Sequence, residues 1–501
     1  MRALVVAAAV AAAAIDGLRW LRVAQREHYL AGSTTRFARR WAAVGPGPLR
    51  VAALVTATVA TPRWPAVGLL AAVLVVAGPP GLALRGRTSR LAWTRRLKTL
   101  AAVWIGLHVA VVALGVVAGA GPVVAVASAV LVPVLIDAAL VLTGPVERRL
   151  GLRWVEEAAA RLRQVAPRVV AITGSYGKTT TKGYVAHLAG ATRSVVATPA
   201  SFNNRSGLAR AVNEHLTPGT DVFVAEMGTY GKGEIAELCR WFPPDIAVIC
   251  AIGPVHLERM GTEDAIVVAK SEILSTAGVA VLNVDHPGLA RLAGEQSAAG
   301  RRVRRCSASD PAADVSVVGG RLVVDGREVA QVPVEGVHPG NLACAAAVAV
   351  ELGVPDAVLA ERVSALPTPP NRLTASTAAS GAVVLDDTYN ANPAGSVVAL
   401  AALARHGAPG GRKVVVTPGM VELGRRQVEE NRRFGAAAAD AATHLVVVGH
   451  TNRRALLAGA ADGPAEVVVV ATREQAVAWV RQHVGEGDAV LYENDLPDHF
   501  P

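Results

Sequence analysis

Charge and cysteine are both in short supply in this chain. Charged residues make up 18% of its 501 positions, against about 25% in a typical soluble domain. Four cysteines, Cys239, Cys250, Cys306 and Cys344, are spread without a Cys-x-x-Cys pair. That pattern excludes a zinc ribbon and a disulfide framework and suits a reducing compartment. Lysine is rare too, at 6 of the 50 basic residues, so a lysine inside a motif carries extra weight. Internal repeats and low-complexity linkers are absent. Apolar residues, by contrast, are abundant: 52% of the chain, with a mean hydropathy of +0.36, which excludes a disordered protein and argues against a wholly soluble one. The net charge of +10 looks like a nucleic-acid footprint until it is divided. Residues 1–150 hold 17 Lys/Arg and 4 Asp/Glu, whereas 151–501 hold 33 and 36. The positive excess belongs to the apolar third, and no nucleic-acid partner is expected.

That third, residues 1–150, reads as a transmembrane anchor region of three to five spans. A bilayer core of ~30 Å takes about 20 helical residues. Residues 99–136 carry no formal charge and Gly121-Pro122 offers a turn, which predicts spans near 99–120 and 122–143. Residues 66–84 supply a third, and the shorter runs 51–62 and 3–15 a fourth and fifth. Arginine clusters at 19–50 and 85–98 fall between these runs, and the positive-inside rule places both in the cytoplasm, with the N-terminus outside. The expected localisation is the plasma membrane, multi-pass, with the catalytic domains cytoplasmic and the lipid bilayer a partner. Asp137, within the last apolar run, is read as an acid that reaches water or Arg148.

From about Arg168 short β-branched runs alternate with Ala-rich helical stretches, a pattern of βα units. Strands are predicted at 169–173, 195–198, 221–225, 246–251 and 279–284, with an antiparallel edge hairpin over 315–334. The Pro-rich stretch 365–370 breaks the chain. Beyond it strands at 383–386, 413–417, 445–449, 467–471 and 489–492 alternate with four helices. The fold class is therefore an α-helical membrane region followed by α/β: two doubly wound, mostly parallel sheets. These form a P-loop ATP-binding domain over 151–370 and a Rossmann-like domain over 371–501.

The sharpest motif is Thr173-Gly-Ser-Tyr-Gly-Lys-Thr-Thr180, between a predicted strand and a predicted helix. A glycine turn there aims backbone N–H groups and a helix N-terminus at phosphates, Lys178 offsets the β/γ charge and Thr179 can hold Mg²⁺. An ordinary glycine turn is the plainer alternative. Glu226 ends the strand Asp221–Glu226, where the carboxyl edge of a parallel sheet places an acid for a metal, or leaves it merely solvated. His256 follows another strand end and is open to a ligand or a structural role. Lys270 lies 14 residues on in a helical stretch, where an isolated lysine is ordinarily surface.

Taken together these segments resemble the Mur ligase family of ATP-dependent amide-forming enzymes, across about residues 168–470. Thr173–Thr180 is similar to the family's TGxxGKTT loop, and Ser201–Asn204 with Gly207 to its NxNNxxG segment. Glu226-Met-Gly resembles the metal-binding EMG, Gly253–Glu258 the GPAHLE segment, and Ala269–Glu272 the AKxEI whose lysine family members can carbamylate. His338–Asn341 resembles the segment beside the adenine pocket, Arg372 falls at the hinge arginine, and Gly419–Gly424 resembles the GDMLELG turn. Asp386–Pro393 is similar to DDxYNANP, the mark of the branch that adds D-alanyl-D-alanine to a muramoyl tripeptide in peptidoglycan synthesis.

The resemblance implies a two-step reaction: a carboxylate attacks the γ-phosphate of ATP, and an amine then displaces phosphate from the acyl phosphate. It implies catalytic roles for Lys178, Glu226, His256, Lys270 and Arg372. Nucleotide contacts are implied for Gly174, Ser175, Gly177, Lys178, Thr179, Thr180, His338, Asn341, Arg372, Asp387 and Asn390. Asn203, Asn204, Tyr389 and Asn392 would meet the substrates. Mg²⁺ would be held by Thr179, Glu226, His256 and a carbamylated Lys270. The chain departs from the pattern at its N-terminus, where apolar runs replace the domain that binds a sugar nucleotide. It departs again at Leu491–Pro497, in place of a Lys-Gly-Ser segment, and at Gly419, in place of an Asp. A lipid-linked acceptor or another amine is the alternative within the family; an ATP-binding membrane protein for regulation or transport is the alternative outside it.

Overall fold

The computed structural model describes residues 1–86, 91–255, 257–333, 337–367, 373–388, 391–497 and 499–501. The first third is helical: α1 (Arg2–Arg26), α2 (Ser33–Ala43), α3 (Gly47–Ala60), α4 (Val67–Ala77), α5 (Arg95–Val117), α6 (Gly121–Val130) and α7 (Val132–Val165). α1 runs through the middle of this unit against α4, α6 and α7. Small residues Ala9, Ala12 and Ala13 let its neighbours close in, and Gly17 lies under the Trp104 ring, where a Cβ would come within 2.1 Å of the indole. Some buried polar groups in this unit pair with one another: Asp16 accepts from Arg19 (3.0 Å) and Trp20 Nε1 (2.8 Å), and Arg22 reaches the Ala83 carbonyl (2.8 Å).

Two sequence expectations are corrected in this unit. Against three to five expected spans, among the described residues α1 and α5 are each long and apolar enough to cross a membrane, and the number is four if the bent pairs α2 with α3 (107°) and α6 with α7 (74°) each count as one. The run 66–84 yields just the 11 residues of α4, about 16 Å of helix, before Gly78-Pro79-Pro80 stops it. The run 122–143 breaks at Leu131, where Pro133 starts a new helix. Asp137 is buried and turns to a neighbouring helix rather than to Arg148. It caps the first turn of α2, accepting from the backbone of Thr35 (2.8 Å) and Thr34 (3.3 Å).

α7 continues without a break past residue 150 and packs on the first α/β unit. That unit comprises β1 (Arg168–Thr173), α8 (Lys178–Ala189), β2 (Val195–Ala197), α9 (Arg205–His215), β3 (Val222–Glu226), α10 (Glu234–Trp241), β4 (Ile246–Ile249), α11 (Leu257–Met260), α12 (Glu263–Ser271), β5 (Val279–Asn283) and α13 (Pro287–Ala298). It continues through β6 (Arg302–Ser307), β7 (Val315–Val318), β8 (Arg321–Val324), β9 (Arg327–Gln331), α14 (Pro339–Glu351) and α15 (Asp356–Ser364). The sheet order is β2-β3-β1-β4-β5-β6-β7-β8-β9, parallel as far as β7 and antiparallel at the β7-β8-β9 edge. Helices cover both faces with separate cores. The edge hairpin is present, with a third strand. β6 was not foreseen: its arginines hide the alternation, and two of them, Arg302 and Arg304, are held by Glu351 (2.9 and 2.7 Å).

The last unit comprises β10 (Thr374–Thr377), β11 (Val383–Asp387), α16 (Pro393–Arg405), β12 (Lys413–Thr417), α17 (Gln427–Ala441), β13 (His444–Val448), α18 (Arg453–Ala460), β14 (Glu466–Val470), α19 (Arg473–His483) and β15 (Ala489–Glu493). Its sheet runs β10-β11-β15-β12-β13-β14, parallel except for the unforeseen β10. Arg426, ahead of α17, reaches Glu263 on the central unit at 2.7 Å. The C-terminal peptide returns to the helical unit, where His499 Nε2 meets Glu27 (3.1 Å) and its carbonyl accepts from Trp41 Nε1 (3.0 Å).

Candidate active site

The loop between β1 and α8 builds the centre. Gly177 caps α8 in the left-handed region (φ +79°), and a Cβ there would lie 2.4 Å from Asn341 Oδ1, so only glycine fits. Ser175 Oγ donates to the Gly253 carbonyl and accepts from the Gly253 amide, both at 3.1 Å, while the Ser175 amide donates to Ala251 (2.8 Å). The loop is thus fastened to the segment after β4 that leads to residue 256. Lys178 Nζ folds back onto the Gly174 carbonyl (2.9 Å), and the buried Lys270 Nζ donates to the same oxygen (3.0 Å). Burial, followed by the nearby Lys178 charge, pushes the Lys270 ammonium down to about 7. Near physiological pH a substantial share of this amine is therefore neutral. Thr180 is buried in the first turn of α8.

Glu226 stands at the carboxyl end of β3, one strand over from β1, and is 1% exposed. Its Oε2 accepts from Thr179 Oγ1 at 2.9 Å and from Lys182 Nζ at 3.1 Å; Oε1 accepts from Asn203 Nδ2 at 3.2 Å. A hydroxyl and a carboxylate meeting beside a phosphate loop form the hard-oxygen pair that Mg²⁺ prefers, with water and phosphate completing its octahedron, so these residues fit the ion. Asn341 lies on α14 against the loop, and His338 precedes that helix. Asp387, at the end of β11, is paired in register with Glu493 of β15. Asn204 and Asn392 are committed to capping: each side chain accepts from the backbone three residues on, Gly207 and Gly395, at 3.0 Å. His256, Arg372, Tyr389 and Asn390 lie outside the described residues.

Sequence reasoning passed over Lys182. The motif reading stopped at Thr180, although Lys182 is one of only six lysines and stands one helical turn beyond Lys178.

The Mur ligase middle domain matches residues 172–350, and the Mur ligase glutamate ligase domain matches residues 371–492. The chain belongs to the Mur ligase family. As a Mur ligase it is an ATP-dependent, ADP-forming amide-bond ligase that works with ATP and Mg²⁺. It is similar to the UDP-N-acetylmuramoyl-tripeptide D-alanyl-D-alanine ligase of Mycobacterium leprae, 35% identical over 372 residues that span 66% of this chain and 72% of that one. The enzyme of the same name from Escherichia coli is 32% identical over 298 residues, 56% of this chain and 64% of that one. Among solved structures it is similar to MurF from Acinetobacter baumannii, with a TM-score of 0.60 and 26% identity over 69% of this chain and 77% of that one. MurF from Thermotoga maritima, solved with ADP, gives 0.54 and 26% over 69% and 80%.

These matches correct one expectation and set another aside. Multi-pass plasma-membrane localisation does not stand: the relatives are named as ligases of a UDP-linked substrate, and two helices long and apolar enough to cross, by length and composition alone, do not establish it. The bilayer loses its support as a partner with it. An ATP-binding transport or regulatory protein without ligase activity is set aside by membership of the family.

Proposed function

We propose that this Mur ligase joins D-alanyl-D-alanine to the terminal carboxylate of a UDP-linked muramoyl tripeptide, a step of peptidoglycan synthesis. The reading takes its substrates from the relatives' names and its machinery from one observation: Thr179 Oγ1 and Glu226 Oε2 meet at 2.9 Å beside the Lys178 loop. The difficulty of the first half-reaction is electrostatic, because an acceptor carboxylate must approach a polyphosphate. Lys178 swings from the Gly174 carbonyl to the β/γ-phosphates, the α8 N-terminus receives them, and Gly174, Ser175, Gly177 and Thr180 line the cradle. Thr179 and Glu226 would hold Mg²⁺, with His256 as a further ligand; when bound, the ion would neutralise the charge that two approaching anions build up. The acceptor oxygen bonds to the γ-phosphorus as ADP leaves. The amine then attacks the acyl carbon, loses a proton and expels phosphate.

Lys270, in its neutral form, would add CO₂ with release of a proton, and the resulting carbamate would be a further oxygen ligand for the metal. His338 and Asn341 contact the base. Asp387 and Asn390 meet the nucleotide from the C-terminal unit, Arg372 at the hinge adds positive charge, and Asn203, Tyr389 and the Asn204 and Asn392 turns shape the substrate side. Closure of the two units then excludes water from the acyl phosphate. The test is ADP release by the full chain, offered UDP-muramoyl tripeptide and D-alanyl-D-alanine, beside Lys178→Ala. Release that needs both substrates and the lysine supports the reading. ATP bound without release, whichever of the two is supplied, overturns the substrate assignment.

A further inference from the structure

The carboxylate assigned to the metal already carries a cation. Lys182 Nζ donates to Glu226 Oε2 at 3.1 Å and also to the Ala200 carbonyl, with only 6% of the lysine side chain and 1% of the glutamate exposed. Thr179 takes the other position on Oε2 at 2.9 Å, and Asn203 sits on Oε1 at 3.2 Å. Water has little access to this pair, so the charges on it are poorly screened. A divalent ion and an ammonium cannot share one oxygen there, because their repulsion is felt at almost full strength. When the metal arrives on Oε2, the lysine must withdraw.

Its second contact gives that withdrawal a consequence. Ala200 sits in the left-handed region (φ +42°), which a residue with a Cβ seldom adopts, and the contact with Lys182 helps hold it there. Three residues on is Asn203, whose side chain touches Glu226 and whose carbonyl accepts from the Gly228 amide (2.8 Å). One ammonium thus ties α8, the metal carboxylate and the 200–204 turn into a single cluster.

We infer that Lys182 is a positioning residue that stands in for the metal, neutralising Glu226 and holding the 200–204 turn until Mg²⁺ displaces it and frees that turn for the acceptor. The inference rests on Glu226 as the metal carboxylate, so its test carries a separate control for that reading. Mn²⁺ binding to the full chain with ADP, read from the electron paramagnetic resonance signal of free Mn²⁺, is compared for wild type, Lys182→Met, Lys182→Arg and Glu226→Gln.

A competing ammonium predicts Mn²⁺ binding about tenfold tighter in Lys182→Met, the weight of one charge-assisted hydrogen bond, with Lys182→Arg near wild type. Glu226→Gln weakens binding. In steady state Lys182→Met lowers the Mg²⁺ concentration that gives half-maximal rate. Mn²⁺ affinity that is unchanged or weaker in Lys182→Met, while Glu226→Gln still weakens it, overturns the role of Lys182. No effect of Glu226→Gln overturns the metal assignment instead. Should Lys182→Met fail to fold, Lys182→Gln gives the same readout. Lys182→Met/Glu226→Gln, which leaves no buried charge unpaired, then melts above Lys182→Met alone.

Discussion

Lys270 and Glu493 are both buried titratable groups, and burial drives them in opposite directions along the pH scale. Burial holds Lys270 near 7, below the ordinary lysine value of about 10.4, so the unfolded chain binds the extra proton between those limits and stability rises with pH across them. Lys270→Met removes that slope, which thermal melts from pH 7 to 10 will show. If the neutral amine becomes a carbamate, ligase activity falls in CO₂-depleted buffer and returns with bicarbonate. Glu493 has no exposed surface; burial, followed by the charge of Asp387 and a hydrogen bond with it, raises its carboxyl well above the usual range. The folded chain then holds a proton that the unfolded chain releases, so stability falls as pH climbs above the ordinary value of about 4.3. Glu493→Gln keeps the shape without the charge. It melts higher than wild type at pH 8 and equally at pH 4.

At the scale of elements, the ends of α8 and α9 separate function from architecture. Gly177 is needed for its backbone and for the space that Asn341 fills, so Gly177→Ala displaces the α8 N-terminus and weakens ATP binding at least tenfold, measurable by calorimetry. Asn204 caps α9 with its side chain. Asn204→Ala costs about 1 kcal/mol in denaturant unfolding, and Asn204→Asp recovers most of it because aspartate caps equally well. A substrate role beyond the cap shows as a raised acceptor KM in Asn204→Asp despite restored stability. Helix α8 was legible in the sequence because a strand and a glycine turn run directly into it, whereas the capping role of Asn204 at α9 was not read there. β6 was not legible either, since its arginines find their acid, Glu351, on α14, and no local pattern encodes that partner.

Across the whole molecule, the C-terminal peptide fastens the last unit to the first helices and, through Glu27, to the central unit. Burial would raise the Glu27 carboxyl, but His499, Arg36 and Arg259 outweigh it and hold it below its usual range. Arg36 and Arg259 lie 2.8 and 3.3 Å from Oε2, and His499 lies 3.1 Å from Oε1. The contact is therefore present at neutral pH and lost as pH falls through the lowered value. Glu27→Gln frees residues 496–501, seen as faster hydrogen exchange there at pH 7 and as protease sensitivity close to that of wild type at low pH.

By itself the sequence determined the chemistry of the loop at Thr173–Thr180, the acid ending β3 and the alternation that makes two parallel sheets. Each of these is written within a few consecutive residues, where glycine freedom, β-branching and charge act locally. Tertiary structure decided what those residues touch. It brought Lys270 to the Gly174 carbonyl across 96 positions and Lys182 to Glu226 across 44, gave Asp137 to the α2 turn, stopped the helix of the run 66–84 after 11 residues and broke the run 122–143 at Leu131. A hydropathy run reports that a segment leaves water. Whether it enters lipid or a neighbour's side chains depends on the packing of the whole chain, which no window of sequence contains.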